Sequence, residues 1–445
     1  MNRLNARPRV HLLLIALTAC VANAALTAVP APADENWSQW RGGSQNGIAP
    51  AGDYPTTWTE TDSIAWKIQI PGPGGSTPVV AGDQAFLTYG TTVPEESKGT
   101  NHLMSVDLIS GDVKWQAIFG NDRGGKHKKG SGANPSAVTD GEVVVAYFRS
   151  GDVGCVDING QTKWHVNIQD MYGEDTLWWD LGSSPMLADD LVVLAIMQTG
   201  PSYLVALDKN TGDVKWKVSR DLNAPEEAAQ SYSTPLAVTV NDNDAIAVMG
   251  ADHLTLHDRA TGKQIAQLGG FNPTAHKYFR SISSPVANGN VVVCPYARGG
   301  TLTGVDMNAL ADGAGKDAIL WHHDDLGSDV PTPASAGSDV YIVSDSKQSR
   351  GLVACLDVKT GDVKWEVQTP KSRISFTSSP LVAGNHLYVT SENGTTFVIG
   401  PLDADQPELV ATNTVDDDAF FTVASPVPVT DGLLLRTKTH LYRVQ

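Results

Sequence analysis

SVDLISGDVKW (105–115), ALDKNTGDVKW (206–216) and CLDVKTGDVKW (355–365) are one pattern written three times. Each copy runs from an apolar strand into Asp, then through Ser-Gly or Thr-Gly into a second strand that carries Trp. CVDINGQTKW (155–164) is a fourth copy, one residue shorter. Asp107, Asp157, Asp208, Asp258 and Asp357 share one position, and Trp115, Trp164, Trp216 and Trp365 share another. Trp321 takes the Trp place in a further copy, whose turn is lengthened after Asp306. The chemistry fits a turn between strands: the Asp carboxylate accepts turn amides, Gly supplies a positive φ, and the hydroxyl adds a local bond. Trp then buries a large surface between neighbouring sheets. These residues are structural, and no catalysis is assigned to them.

Working outward, each copy belongs to a longer unit that opens with a polar or small residue followed by Pro and an alternating apolar strand. The openings are Thr77-Pro78, Asn134-Pro135, Ser184-Pro185, Thr234-Pro235, Ser284-Pro285, Thr332-Pro333, Ser379-Pro380 and Ser425-Pro426, with the prolines 57, 50, 50, 50, 48, 47 and 46 residues apart. About 48 residues holding four short strands match one blade of a β-propeller. The last unit stops without its Trp strand, and residues 63–70 (SIAWKIQI), carrying Trp66, supply one at the other terminus. The sequence therefore predicts an all-β, eight-bladed propeller of four-stranded blades, its ring closed by the N-terminal strand completing the C-terminal blade. Two units depart from the pattern: Ala266 stands where the fourth should have Trp, and Gly400 to Leu409 of the seventh has neither the Asp turn nor the Trp.

The 445 residues carry a net charge of −17, are 41% hydrophobic and 18% charged, and include 42 Gly. Such a chain is too apolar for disorder and too Gly-rich for a helical bundle. It lacks the basic excess that phosphate contacts need, so nucleic acid is excluded as a partner. Residues 1–24 read as a signal peptide: Arg3, Arg7 and Arg9 precede the apolar run VHLLLIALTA (10–19). Their removal takes away three positive charges and brings −17 to −20. Two cleavage readings stay open. Ala22-Asn23-Ala24 fits the small-x-small rule, and Leu17-Thr18-Ala19-Cys20 reads as a lipobox with Cys20 as the lipidated residue. Residues 25–36, rich in Ala and Pro, read as a flexible tether, and residues 37–445 as one propeller. Cys155, Cys294 and Cys355 each sit in an apolar strand and read as small buried hydrophobes.

The repeat A-x-D-x-x-T-G-x-x-x-W resembles the tryptophan-docking motif of the pyrroloquinoline quinone (PQQ)-like propellers, over nearly all of residues 63–445. That superfamily includes the quinoprotein dehydrogenases and the non-catalytic group around the outer-membrane assembly factor BamB. The dehydrogenase resemblance implies a quinone in the central channel beside a pair of adjacent cysteines, calcium held by Glu, Asn and Asp, and an Asp base. This sequence has no adjacent cysteine pair, and no acid carries over onto those positions. The BamB-like resemblance implies an exported scaffold in the periplasm or on the periplasmic face of the outer membrane, with a lipid anchor if Cys20 is kept. It implies no cofactor, PQQ with calcium belonging only to the dehydrogenase alternative. The expected partner is an envelope protein or a small anionic or carbohydrate ligand, bound by a monomeric propeller.

Segments just ahead of each inner strand converge on the channel mouth. They place there His127 and Lys128, Trp179 and Asp180, Tyr232, Arg280, Asp329, and Arg373 with Phe376. Basic and aromatic side chains on such loops are the material of binding sites. Asp324-Asp325 and Asp416 to Asp418 lack the spacing of a calcium loop, and no metal site is expected.

Overall fold

In a computed structural model, which describes residues 1, 36–59, 61–91, 99–415 and 421–445, the described residues form 32 strands in eight four-stranded antiparallel sheets. Apart from Met1, the expected signal segment with Cys20 lies outside the described residues, as do the expected tether up to residue 35, Asp416 to Asp418 and Phe420. Seven blades are consecutive in sequence, the first running Val79–Ala81, Gln84–Gly90, Thr100–Asp107 and Val113–Asn121. The eighth takes Val427–Val429, Gly432–Arg436 and His440–Val444 from the C-terminus and Ile64–Gln69 from the N-terminus. Ile64 pairs with Val444 and Gln69 with His440, so the N-terminal strand closes the ring as the sequence predicts. Closure removes the free sheet edges that an open array would expose.

Neighbouring blades are joined by the repeated motif. Asp208 Oδ1 accepts the amides of Asn210 and Thr211 at 2.8 and 3.1 Å, and Asp107 and Asp357 hold their turns in the same way. The turn then receives the Trp of the preceding blade. Trp66, Trp115, Trp164, Trp216 and Trp321 donate their indole N–H to the carbonyls of Leu108, Ile158, Lys209, Arg259 and Val358 at 2.8–3.1 Å. The same indoles lie against the turn glycine: a Cβ at Gly262 would stand 2.5 Å from Trp216. The motif glycine thus meets two demands, a positive φ and a close ring.

The two irregular features of blades 4 and 5 prove to be one. Where blade 4 has Ala266 instead of Trp, the lengthened turn of blade 5 forms a short helix, Met307–Ala311, capped by Asp306. Met307 and Leu310 fall in the same apolar cluster as Ala266 and fill the place of the indole. In blade 7, Leu402 and Leu409 pack in the cluster that contains Trp365.

Two further devices organise the channel. The first is a closed girdle of eight hydrogen bonds. The amides of Thr77, Ser136, Ser184, Thr234, Ser284, Thr332, Ser379 and Ser425 each donate to the hydroxyl of the next, and Ser425 returns to Thr77, all at 2.8–3.0 Å. Ser136 is the blade 2 member, which corrects the alignment on Asn134-Pro135. Asn134 instead accepts the amide and hydroxyl of Ser131.

The second device is a plug made by residues 37–49. In six blades the amide three residues past the girdle hydroxyl donates to it: Val80 to Trp37 O, Thr139 to Ser38 O, Leu187 to Gln39 Oε1, Ala237 to Gln45 Oε1, Ser335 to Asn46 O and Val382 to Gly47 O, at 2.8–3.3 Å. Blade 8 has Pro428 at this position and needs no acceptor. Buried Arg41 donates to the carbonyls of Pro380 and Pro333 at 2.5 and 3.0 Å. Gly47, at φ +73°, leaves room for that guanidinium, since a Cβ there would stand 2.0 Å from Arg41 Nη2. Burial draws Arg41 down to about 9, so it stays charged at neutral pH.

Candidate functional site

In each antiparallel blade the first strand starts, and the second ends, on the face opposite the Asp turns. The loops between second and third strands therefore share a face with the connectors between blades. With the plug on the turn side, the channel keeps one mouth, and a cavity of about 730 Å³ opens there. Its floor contains Trp40 of the plug segment and girdle residues that include Thr77, Ser136, Ser184, Thr234, Ser379 and Ser425.

Of the side chains singled out in the sequence, His127, Trp179, Asp180, Tyr232, Arg280 and Asp329 line this cavity. Lys128 and Arg373 are exposed and outside its lining, and Phe376 is buried in the apolar cluster between blades 6 and 7. Phe376 has to be there, because the space between those blades is filled by its contact with Phe397.

The lining is mostly self-engaged. Arg280 makes a two-pronged pair with Asp329 at 2.7 and 2.9 Å, with Glu227 at 3.7 Å. Burial opposes its charge, but Asp329 and Glu227 outweigh it and hold Arg280 above the usual arginine range. Glu227 also accepts the Trp179 indole N–H at 2.9 Å and pairs with Arg298 at 3.2 Å. Asp180 accepts the amides of Lys126 and His127 at 2.6 and 2.9 Å, and the His127 ring meets Trp179 edge-on at 5.5 Å. Lys129 pairs with Glu392, which also accepts the Thr377 hydroxyl. Arg280 is thus a structural clamp between connectors, not a free cation. Tyr232, buried, is pushed upward by desolvation and donates to Gln230 at 2.9 Å. Trp179, in the lining, is 42% exposed, and Trp178 beside it in sequence is 45% exposed.

Reading only the connectors misses the second-to-third-strand loops, which bring Arg298, Asp345, Lys347 and Arg350 to the cavity. It also misses Trp40. The alternation of loop faces in an antiparallel blade was the signal for the former; nothing in the repeat signals the plug.

The calcium-bound quinone of the dehydrogenase alternative does not fit these residues. Among the described residues no group of three or more His, Cys, Asp or Glu is placed to hold a metal ion. The cavity acids named above are turned onto amides, the indole and cations, as is the carboxylate of Asp345, which accepts the amides of Asp329 and Val330. Cys155, Cys294 and Cys355 are free thiols buried in three different blades. Burial pushes Cys155 and Cys355 up to about 12, far from reactivity.

A search of curated proteins finds no match. Among solved structures the chain resembles BamB from Moraxella catarrhalis, at TM-score 0.57 and 13% identity over 85% of this chain and 99% of that one. It also resembles a europium-containing methanol dehydrogenase, at TM-score 0.66 and 11% identity over 90% and 88%. A quinohemoprotein alcohol dehydrogenase from Comamonas testosteroni gives TM-score 0.65 and 12% identity over 93% and 81%. At these identities the likeness is one of fold. The family profile described as outer membrane protein assembly factor BamB matches residues 52–200, 149–313 and 308–409, and the chain belongs to that family of PQQ-like propellers.

Proposed function

We propose that the protein is an exported, non-catalytic binding propeller of the cell envelope, holding a partner or ligand at its single mouth. The observation that carries this reading is the plug: residues 37–49 stopper one end of the channel and leave a blind cavity at the other, with exposed Trp179 in its wall and exposed Trp178 next to it in sequence. A one-mouthed, partly aromatic concavity on a rigid ring suits reception rather than passage. Family membership supports the scaffold role and the envelope location, and the signal-like pattern of residues 1–24 agrees with the latter.

The test is cross-linking in the envelope, comparing the protein with its Trp178→Ala/Trp179→Ala variant. Trp178 is exposed, and the Glu227 that loses the Trp179 indole is still held by Arg280 and Arg298, so the fold is expected to stay intact. Loss of the recovered partner with an unchanged melt supports the mouth as the receiving surface. Undiminished recovery removes it. A parallel titration with PQQ and Ca²⁺ addresses the dehydrogenase alternative; saturable uptake with dye reduction would overturn the non-catalytic reading.

A further inference from the structure

The loop between Asp339–Val343 and Leu352–Asp357 carries Asp345, Ser346, Lys347, Gln348 and Arg350 into the cavity wall at blade 6. Pairing around the cavity leaves this loop with the unspent positive charge. Arg280 is held by Asp329, Arg298 by Glu227, Lys129 by Glu392, and Asp180 faces Arg149 at 3.8 Å. Lys347 and Arg350 make no ion pair among the described residues. Arg350 Nη1 donates to the carbonyl of Arg373 at 2.9 Å, while its Nε is enclosed without a hydrogen-bond partner among the described residues. The Nε is out of a ligand's reach, but Nη2 makes no hydrogen bond among the described residues and is not enclosed, and a guanidinium is built to meet oxygens.

The neighbouring surface also donates. Ser379 and Ser425 of the girdle each accept an amide, and among the described residues neither hydroxyl donates, so their O–H groups remain available beside Ser375 and Thr377. The acids facing this wall are occupied: Asp345 by two main-chain amides, Glu392 by Lys129 and Thr377.

Two cations and the two free girdle hydroxyls, with the local acids engaged, call for a ligand edge made of negatively charged acceptor oxygens. We propose that the wall between blades 6 and 7 is an oxyanion site, and that the small molecule received in the cavity enters with a carboxylate or phosphate group set between Lys347, Arg350 and the girdle hydroxyls. This rests on the receptor reading of the mouth and names the ligand class for it.

Calorimetric titration of the purified protein with inorganic phosphate, glucuronate and glucose tests the site and separates the two oxyanions. At least one anion is expected to bind saturably, with glucose at least about tenfold weaker, because charge-assisted hydrogen bonds are roughly twice as strong as neutral ones. Lys347→Gln and Arg350→Gln should each weaken the anion about tenfold or more; Lys347 is exposed, so its variant should melt unchanged. Equal binding of glucose, no binding of either anion, or anion binding untouched by both variants would overturn the proposal. Partner recovery that depends on Trp178 and Trp179 without any anion binding would remove the oxyanion site and leave the receptor reading. Anion binding that needs Lys347 and Arg350 while recovery ignores the mouth would do the reverse.

Discussion

Asp345 shows how a single carboxylate in this cavity trades hydrogen bonds against burial. It accepts the amides of Asp329 and Val330 at 2.7 and 3.2 Å. Burial, and then the negative charge of Asp329, nevertheless push it up to about 7. The charged groups of the surrounding elements are Asp329 with its partner Arg280 on the connectors, and Lys347 and Arg350 on its own loop. In the unfolded chain the carboxyl titrates near 3.9. Below about pH 4 it is protonated in both states and contributes no pH dependence. Between about 4 and 7 the folded protein holds a proton that the unfolded chain has lost, so this group makes stability fall as pH rises, by at most about 1.4 kcal/mol per pH unit. Above about 7 the loss levels off. Asp345→Asn, whose side-chain oxygen can still accept an amide, should flatten that part of the profile. Denaturant titrations at pH 4.5 and 8 check it: relative to the unaltered protein, the variant should gain stability at the higher pH. An unchanged pH slope would mean that Asp345 is ionised in the folded state.

At the scale of the blade, the indole and the turn glycine form one joint, and two glycines of blade 6 separate its contributions. Gly361, at φ +75°, would place a Cβ 2.6 Å from Trp321, whereas Gly337, at φ +59°, has open space around it. Replacing either by Ala costs the left-handed backbone strain, about 1–2 kcal/mol. Gly361→Ala must also displace the Trp321 ring and its bond to Val358 O, a further loss of about 1 kcal/mol or more. Chemical denaturation should rank Gly361→Ala clearly below Gly337→Ala, and equal losses would reduce the joint to its backbone conformation. This joint is also why so much of the fold was legible. Five of the eight seams are solved locally with Asp, Gly and Trp, so the solution is printed along most of the chain. The replacement of the missing blade 4 indole by the Met307–Ala311 helix was not legible, because the two halves lie some forty residues apart and share no motif. The same limit applied at the mouth. Arg280 and Asp329 were each visible on connectors, but their pairing across successive connectors, which turns a binding cation into a clamp, exists only in the closed ring.

For the whole molecule, closure and stoppering are separate jobs given to adjacent stretches of the N-terminus. Ile64–Gln69 completes the eighth sheet, and residues 37–49 lie across the channel against the inner strands. Neither job follows from the other, since a ring can be closed and still open at both ends. A chain beginning at residue 73 lacks the outer strand of blade 8, together with the Trp66 indole that docks on Leu108 of blade 1. It leaves an unpaired edge on His440–Val444 and an open seam between the first and last blades, so it should show no cooperative melt. A chain beginning at residue 50 keeps that strand, and buried Trp58 with its bond to Asn413, but loses the plug. The inner-strand amides of Val80, Thr139, Leu187, Ala237, Ser335 and Val382 then turn to water entering the channel, and the cavity loses Trp40 from its floor. Because water can serve those amides, this chain should still melt cooperatively, at a lower temperature, with binding at the mouth weakened. Calorimetric melts of the two truncations beside the uncut protein decide the matter. A sharp, undisturbed transition from the chain beginning at 73 would show that the seam between blades 8 and 1 holds without its strand. Loss of cooperativity already at 50 would instead make the plug, with Arg41 at its centre, the element on which the ring depends.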